Sequence, residues 1–175
     1  MNNIIKAIVI FLITVCSLSV HAQTTKADKK AAKVADLKRI VDGKSYVFKV
    51  NQAFPMSGQM INLTSSYYDL KLANDTLSAF LPYYGVAYSA PTDPTEGGIK
   101  FTTTKFENKV TLKKNGNIQI NLKPKDLGTR PPKDVASMIL TVSPGGYASL
   151  QVIPVTRQSI SFSGMLEEVE SKPAP

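Results

Sequence analysis

The sequence is poor in the side chains on which most enzymes and metal sites depend. It contains one cysteine, Cys16, and one histidine, His21, and both lie within the first 22 residues. If that segment is removed from the mature protein, Ser-His-Asp and Cys-His catalysis are excluded. Disulfide bonds and His- or Cys-based zinc, copper or haem sites are excluded as well. Neither a P-loop nor a dinucleotide fingerprint is present. We therefore predict no enzyme, no metal and no cofactor.

The first 22 residues have the pattern of a secretory signal peptide. Lys6 provides a positive charge, residues 7–15 form an apolar run, and residues 20–22 match a small-residue cleavage site. The run is far shorter than the roughly 20 residues that span a bilayer, and no later apolar segment is long enough. Cys16 lacks the small preceding residue that lipoprotein processing requires. We predict cleavage after Ala22 and a periplasmic location.

The excess of basic over acidic residues limits the classes of molecule that the protein could bind through its surface charge. The formal net charge is +8, and an exported protein rarely meets nucleic acid. A basic surface therefore favours peripheral contact with an anionic envelope surface, lipid or polysaccharide, over nucleic acid, although a solvated surface without a partner is the simpler explanation of the charge. We predict no nucleic-acid partner, and the sequence leaves the oligomeric state open.

Residues 23–43 form the predicted N-terminal helical arm. Apolar residues recur at helical spacing between residues 26 and 41, namely Ala27, Ala31, Val34, Leu37 and Val41. Gly43 follows the last of them, where a left-handed terminating residue is usual. Two interpretations remain: a short helix packed against the rest of the domain, or a basic arm that lies on the membrane surface.

After residue 43 the apolar period changes from 3.6 to 2, which is typical of strands with one buried and one wet face. The alternation runs through residues 46–51, 68–72, 106–113, 117–123, 138–142, 148–152 and 159–164. We predict a mainly β domain over residues 44–170, with one short N-terminal helix before it. This domain would be a small antiparallel meander β-barrel of about eight strands, closed because closure removes exposed edges. Residues 171–175 are predicted to be a disordered tail.

Turn residues support the hairpins. Asn115-Gly116 lies between two alternating runs and predicts a two-residue type I′ turn, in which both residues take a positive φ. Asn74-Asp75 and Pro144-Gly145-Gly146 are further turn signals.

A tyrosine-rich loop is the main candidate for ligand contact. Tyr83, Tyr84 and Tyr88 have an apolar ring and a polar tip, which suits sugars, peptides or lipid headgroups at a barrel mouth. Lys100 and Arg157 would add a basic rim for an anionic ligand. The alternative is that the tyrosines plug the end of the barrel as core residues; in a strand, Tyr84 and Tyr88 would share one face and Tyr83 the other.

Carboxylate chemistry has little support. Asp93 and Glu96 lie three residues apart in the long loop, a spacing that calcium binding or acid–base catalysis would allow. Pro94 and the two glycines after Glu96 instead indicate a solvated turn. The acidic residues 167, 168 and 170 are interpreted as a solvated end.

Several separated motifs resemble a secreted family of Bacteroidetes-type bacteria, known only as domain of unknown function family 4251. They are Asn51-Gln52-Ala53 with Pro55-Met56-Ser57-Gly58, residues 81–88, residues 97–101 and residues 157–164. The resemblance spans Lys33 to Leu166. It implies a lipocalin-like β-barrel in the cell envelope, with no established activity and no catalytic residues to transfer.

Two functional hypotheses follow. In the first, an exported non-enzymatic protein binds a small apolar or amphipathic ligand, or a peptide, in the barrel or at its mouth. In the second, the tyrosine-rich loop and the basic helix dock on another envelope component.

Overall fold

The computed structural model describes residues 26–64, 67–88 and 97–169. The predicted signal peptide and tail, Asp93, Glu96 and Glu170 lie outside these ranges. The chain divides into two compact units, Met1–Ala31 and Ala32–Pro175. The described part of the first unit is helical, and the second unit contains every strand. In the described ranges, no helix combines the length and the apolar character needed to cross a membrane.

The second unit contains an antiparallel barrel wall and the larger part of the one described helix, α1 (Lys26–Asp42). Its strands are β1 (Tyr46–Pro55), β2 (Ile61–Asn62), β3 (Asp69–Ala73), β4 (Thr76–Leu81), β5 (Ile99–Thr103), β6 (Phe106–Leu112), β7 (Ile118–Pro124), β8 (Val135–Val142), β9 (Tyr147–Pro154) and β10 (Ile160–Glu168). The sheet order is β5-β4-β3-β1-β10-β9-β8-β7-β6, with the short β2 paired to β1. The prediction of a mainly β, small antiparallel meander barrel is confirmed, with ten strands instead of about eight.

The barrel is nearly but not fully closed. The two strands at the ends of the sheet order, β5 and β6, do not pair with each other. β5 and β6 are consecutive in the chain, yet β5 pairs only with β4 and β6 only with β7 among the described residues. Around the short connection, the Thr103 hydroxyl donates to Asp126, and the Lys125 N–H donates to the Lys105 carbonyl at 2.9 Å. The sheet therefore keeps two edges, one along β5 and one along β6.

Apolar side chains fill the interior of the barrel. Tyr46, Phe48 and Phe162 are among the largest fully buried side chains, and every strand except β2 and β6 contributes buried residues to the same cluster. Close approach requires a glycine at one position of this wall. A Cβ on Gly164 would lie 1.9 Å from the Lys49 carbonyl oxygen, beside the bulge where β1 gains a residue relative to β10.

Helix α1 covers nearly the span that the apolar period predicted. Leu37 and Val41 are buried in the core cluster, so the C-terminal half of the helix packs against the barrel. The prediction for its end was wrong by one residue: the left-handed residue is Lys44, with φ 50°, and not Gly43. The Gly43 N–H still caps the helix by donating to the Arg39 carbonyl at 3.0 Å.

The type I′ turn lies at a different hairpin from the one that the sequence predicts. Asn74 and Asp75 both have positive φ, 51° and 53°, and join β3 to β4 through a two-residue turn. At the β6–β7 hairpin only Gly116 has a positive φ. There the Asn115 side chain accepts from the Asn117 N–H and the loop is longer. An asparagine side chain that caps its own turn competes with the left-handed conformation.

Candidate functional site

Strand β6 is the poorly covered part of the barrel wall. All of its residues are at least partly exposed. Its inward-facing residues are identified by their partners on β7: Val110 lies opposite Ile120, and Leu112 opposite Ile118. The two isoleucines are 0% and 1% exposed, whereas Val110 and Leu112 are 41% and 53% exposed. These two side chains face the barrel interior, and no strand of the described ranges lies on the far side of β6 to cover them.

The exposed inner face of β6 opens into a cleft of about 660 Å³. The opposite wall is formed by the end of α1, the residues just after it and the β3–β4 turn. The lining residues are Val41, Asp42, Lys44, Asp75, Thr104, Phe106, Asn108 and Val110. Such a volume suits a small organic ligand or a few residues of a peptide.

Asn108 lines this cleft and carries an unsatisfied hydrogen-bond acceptor beneath the cleft surface. Its Oδ1 atom is buried and has no hydrogen-bond partner among the described residues. A second unsatisfied group, the Tyr46 hydroxyl, is fully buried at the start of β1, two residues after Lys44. Burial raises the pKa of the Tyr46 phenol far above its usual range. Buried polar atoms without partners cost free energy, so a donor that reaches Asn108 Oδ1 would recover part of that cost.

The rim of the cleft is polar. Lys44 Nζ lies 3.7 Å from Asp75 Oδ1 in an exposed ion pair, and Asp42 is paired with Lys38. Within residues 26–64, 67–88 and 97–169, no three His, Cys, Asp or Glu side chains are placed to hold a metal ion. The cleft thus combines apolar residues on its inner wall, an unsatisfied acceptor buried beneath its surface and an entrance whose charges are paired.

The predicted basic rim residue Arg157 lies in the interior. Its side chain is 3% exposed and forms a bidentate ion pair with Asp134, which is 0% exposed. Arg157 Nη1 also donates to the Gly98 carbonyl at 2.7 Å, and its guanidinium lies 4.4 Å above the Tyr83 ring centroid. The hydroxyl of Thr156 also donates to the Asp134 carboxylate, at 2.9 Å.

The three predicted tyrosines have different environments. Tyr83 points inward, and its hydroxyl lies 3.0 Å from the carbonyl oxygens of both Val86 and Gln158. Burial raises the pKa of Tyr83. Tyr84 and Tyr88 point outward and are 37% and 69% exposed. A ligand role for the group stays a prediction, in which Tyr84 and Tyr88 supply the accessible surface.

Lys100 lies apart from the tyrosines on the outer face of β5. It lines a second groove, of about 580 Å³, together with Asp69, Phe80 and Lys133. The Phe80 ring stacks on Tyr68 with centroids 5.5 Å apart, and burial raises the pKa of the Asp69 carboxyl. The five predicted ligand residues therefore do not form one site.

The comparisons with known proteins fit this fold. The family model described as "Domain of unknown function (DUF4251)" matches residues 28–166. The chain belongs to the DUF4251 family. A crystal structure of a DUF4251 family protein from Bacteroides eggerthii is similar, with 18% sequence identity and a TM-score of 0.54, over 80% of this chain and 90% of that one. No curated protein matches. Family membership confirms the resemblance drawn from the sequence and assigns no activity.

The motifs that carried the resemblance to DUF4251 meet around Arg157. Gln158 accepts from Ser57 at 3.3 Å through its side chain, and the Gln158 N–H donates to the Val86 carbonyl at 3.0 Å. Ala87 forms an isolated bridge with Arg157, and Gly98 receives the Arg157 hydrogen bond. Gly98 has φ +85°, and a Cβ there would lie 2.6 Å from the Leu81 carbonyl oxygen. These motifs build one structural cluster.

Sequence reasoning missed four residues that define the cluster and the cleft. Asp134 is a lone acid at the start of a strand, and only its pairing with Arg157 reveals its role. Asn108, Val110 and Leu112 follow the same alternation as core strands. A polar residue on an apolar strand face, as Asn108 is, was the one available signal.

We predict that Asp134→Asn lowers the free energy of unfolding by about 3–5 kcal/mol, because Arg157 would stay buried without a counter-charge. Urea denaturation monitored by far-UV circular dichroism measures this change. The matched control Asp42→Asn removes an exposed i,i+4 pair and should cost at most about 0.5 kcal/mol. A loss for Asp134→Asn no greater than for this control would show that the buried pair does not hold the cluster.

Proposed function

We propose that this protein is an exported, non-enzymatic envelope protein that binds an amphipathic ligand, a small molecule or a peptide, in the cleft beside β6. The observation that carries the proposal is the exposure of Val110 and Leu112 on the inner face of the barrel. Burying a valine or leucine side chain contributes about 1.5–3 kcal/mol. A ligand that covers both would gain stabilisation that the free protein lacks.

The composition of the cleft supports an amphipathic ligand. Phe106 and Val110 provide apolar contact, and Lys44 with Asp75 provides a polar entrance. Asn108 Oδ1 would provide an acceptor once its side chain turns toward the ligand. Few, well-placed polar groups in an apolar lining are typical of sites that select a ligand's orientation. The packed barrel axis, with Tyr46, Phe48 and Phe162 fully buried, favours this lateral site over a site within the barrel.

Docking on another envelope component is the second candidate. Tyr84, Val86 and Tyr88 are exposed on one short segment, and the anchored Tyr83 holds that segment against residues 156–158. Exposed tyrosines on a fixed backbone suit protein contacts. The lysines of α1, exposed at positions 29, 30 and 33, would add attraction to an anionic surface.

The proposal that the protein is not an enzyme is supported by its composition. Outside the first 22 residues the sequence contains no histidine and no cysteine. The buried carboxylate Asp134 is fully engaged with Arg157 and Thr156. The carboxylates at the cleft, Asp42 and Asp75, lie at its ion-paired rim.

Export is tested by the mass of the protein in its own cell. We predict an intact mass in the periplasmic fraction that corresponds to a chain beginning at Gln23, because the small-residue site ends at Ala22. Intact-mass spectrometry of the fractionated cell measures it. An uncleaved chain in the cytoplasmic fraction would contradict export.

Ligand binding is tested by what co-purifies with the mature protein from the native envelope. We predict a reproducible, near-stoichiometric molecule in extracts of the wild type. Val110→Lys should reduce it at least about tenfold, because a charge in the apolar wall costs more than 1.4 kcal/mol. Mass spectrometry of the denatured extract, against a mock purification, measures both.

Val86→Lys is the matched control, since Val86 is similarly exposed but belongs to the tyrosine segment. It should keep the ligand. If Val86→Lys loses the co-purifying ligand and Val110→Lys retains it, the ligand-binding site lies at the tyrosine segment and not in the cleft. Extracts from the wild type that match the mock purification would contradict ligand binding altogether. Circular dichroism melts of both variants establish that each is folded.

A further inference from the structure

We propose that the occupant of the cleft is an extended acidic peptide of a partner protein, which pairs with β6 as an additional antiparallel strand. The inference rests on the proposed function, since it names the class of ligand for the same cleft. Four features of β6 carry it: a free backbone edge, apolar inner residues, an unsatisfied acceptor and a basic outer face.

The backbone of β6 has one free edge. The Lys113 N–H donates to the Asn117 carbonyl at 2.8 Å, and the Lys105 carbonyl accepts from the Lys125 N–H. Odd-numbered residues of this segment therefore direct their backbone groups toward β7. Because these groups alternate in direction along a strand, Asn108 and Val110 direct theirs to the opposite side. No described strand pairs there.

The edge of β5 is less accessible to an added strand than the edge of β6. Its Lys100 N–H donates to the Pro132 carbonyl at 3.3 Å, and Arg157 bonds to Gly98 immediately before the strand. The segment that follows β7 thus occupies this edge at Lys100. Of the two sheet edges, β6 leaves the longer run of backbone groups to an added strand.

The inner face of β6 specifies alternate apolar residues in the peptide. In antiparallel pairing, the residues opposite Asn108 and Val110 exchange backbone hydrogen bonds with them and point to the same face. Those residues would enter the cleft and cover Val110, and the next inward-facing residue of the peptide would cover Leu112. Asn108 Oδ1 is buried, so the Asn108 side chain would have to turn before it could accept from a donor of the peptide. Hydrogen bonds between the main chains of the peptide and β6 would supply affinity. The peptide side chains that enter the cleft, every second one, would supply selectivity.

The outer face of this segment specifies negative charge. Lys105, Lys109, Lys113 and Lys114 lie along residues 105–114 with a single acid, Glu107. Glu107 is already paired with Lys125 at 2.9 Å, which lowers the pKa of its carboxyl. A second copy of this chain would bring two such basic strands together. An acidic partner is therefore favoured over self-association.

The first test uses a fluorescein-labelled, capped eight-residue peptide in which valine and glutamate alternate, with binding to the full mature protein followed by fluorescence anisotropy. We predict saturable binding. N-methylation of the valines removes the N–H groups directed at β6 and should weaken binding at least about tenfold. N-methylation of the glutamates changes the solvent-facing N–H groups and should leave affinity within about twofold.

Equal weakening by both modifications would overturn antiparallel strand pairing. The absence of binding at millimolar peptide would overturn the peptide proposal as well. If the wild type still co-purifies with a small molecule that Val110→Lys lacks, the cleft remains a ligand site and only strand addition fails. If neither binds, the proposed function fails too.

A charge exchange provides the second test. The double variant Lys109→Glu/Lys113→Glu should bind the valine–glutamate peptide at least about tenfold more weakly and gain affinity for a valine–lysine peptide. The control Lys29→Glu/Lys30→Glu makes the same change in net charge on α1 and should preserve the original preference. Identical behaviour of the two double variants would contradict recognition at β6. A dimer dispersed by Val110→Lys in sedimentation would assign the edge to a second copy and overturn the proposal.

Discussion

The failure of β5 and β6 to pair is the constraint from which the other features of this barrel follow. The two strands are joined by only two residues, Thr104 and Lys105, but Thr103 and Phe106 belong to opposite ends of the sheet. A closed barrel satisfies every backbone group within its wall, whereas this sheet must satisfy or leave open two edges. A loop bonds to the edge of β5, whereas the edge of β6 has no described partner. The cleft lies beside the open edge of β6.

At the β5 edge the solution is a buried ion pair. Asp134 and Arg157 belong to different hairpins, and their pairing draws Gly98, Tyr83 and the segment after β7 together against the start of β5. A buried pair of this kind adds little stability compared with apolar residues of the same size. Any arrangement of the loops that separates the two partners is strongly destabilised, because it leaves a buried charge without a counter-charge. The pair therefore specifies where these loops lie. No described segment covers the β6 edge in this way, and its inner apolar residues Val110 and Leu112 are exposed.

The fold could be predicted from the sequence much further than the site could. Period-2 alternation identifies most strands, and the helix period locates α1, because both patterns are local. β4 and β5 were missed because a small residue, Ala79, and a threonine, Thr103, occupy their inner positions. Alternation also shows which face of β6 is apolar, but not that its neighbour is absent, since Val110 and Ile120 obey the same rule. The Asp134–Arg157 pair joins residues 23 apart in sequence, and no local pattern encodes it.

The most direct test of an open β6 edge is residue-resolved amide hydrogen exchange, measured by NMR on the free mature protein. We predict an alternating pattern: rapid exchange at Asn108, Val110 and Leu112, whose N–H groups face the open edge, and slow exchange at Lys109 and Thr111, which bond to β7. Uniformly slow exchange along residues 108–112 would mean that the edge is already covered, and would contradict both the open cleft and the binding of a ligand beside it.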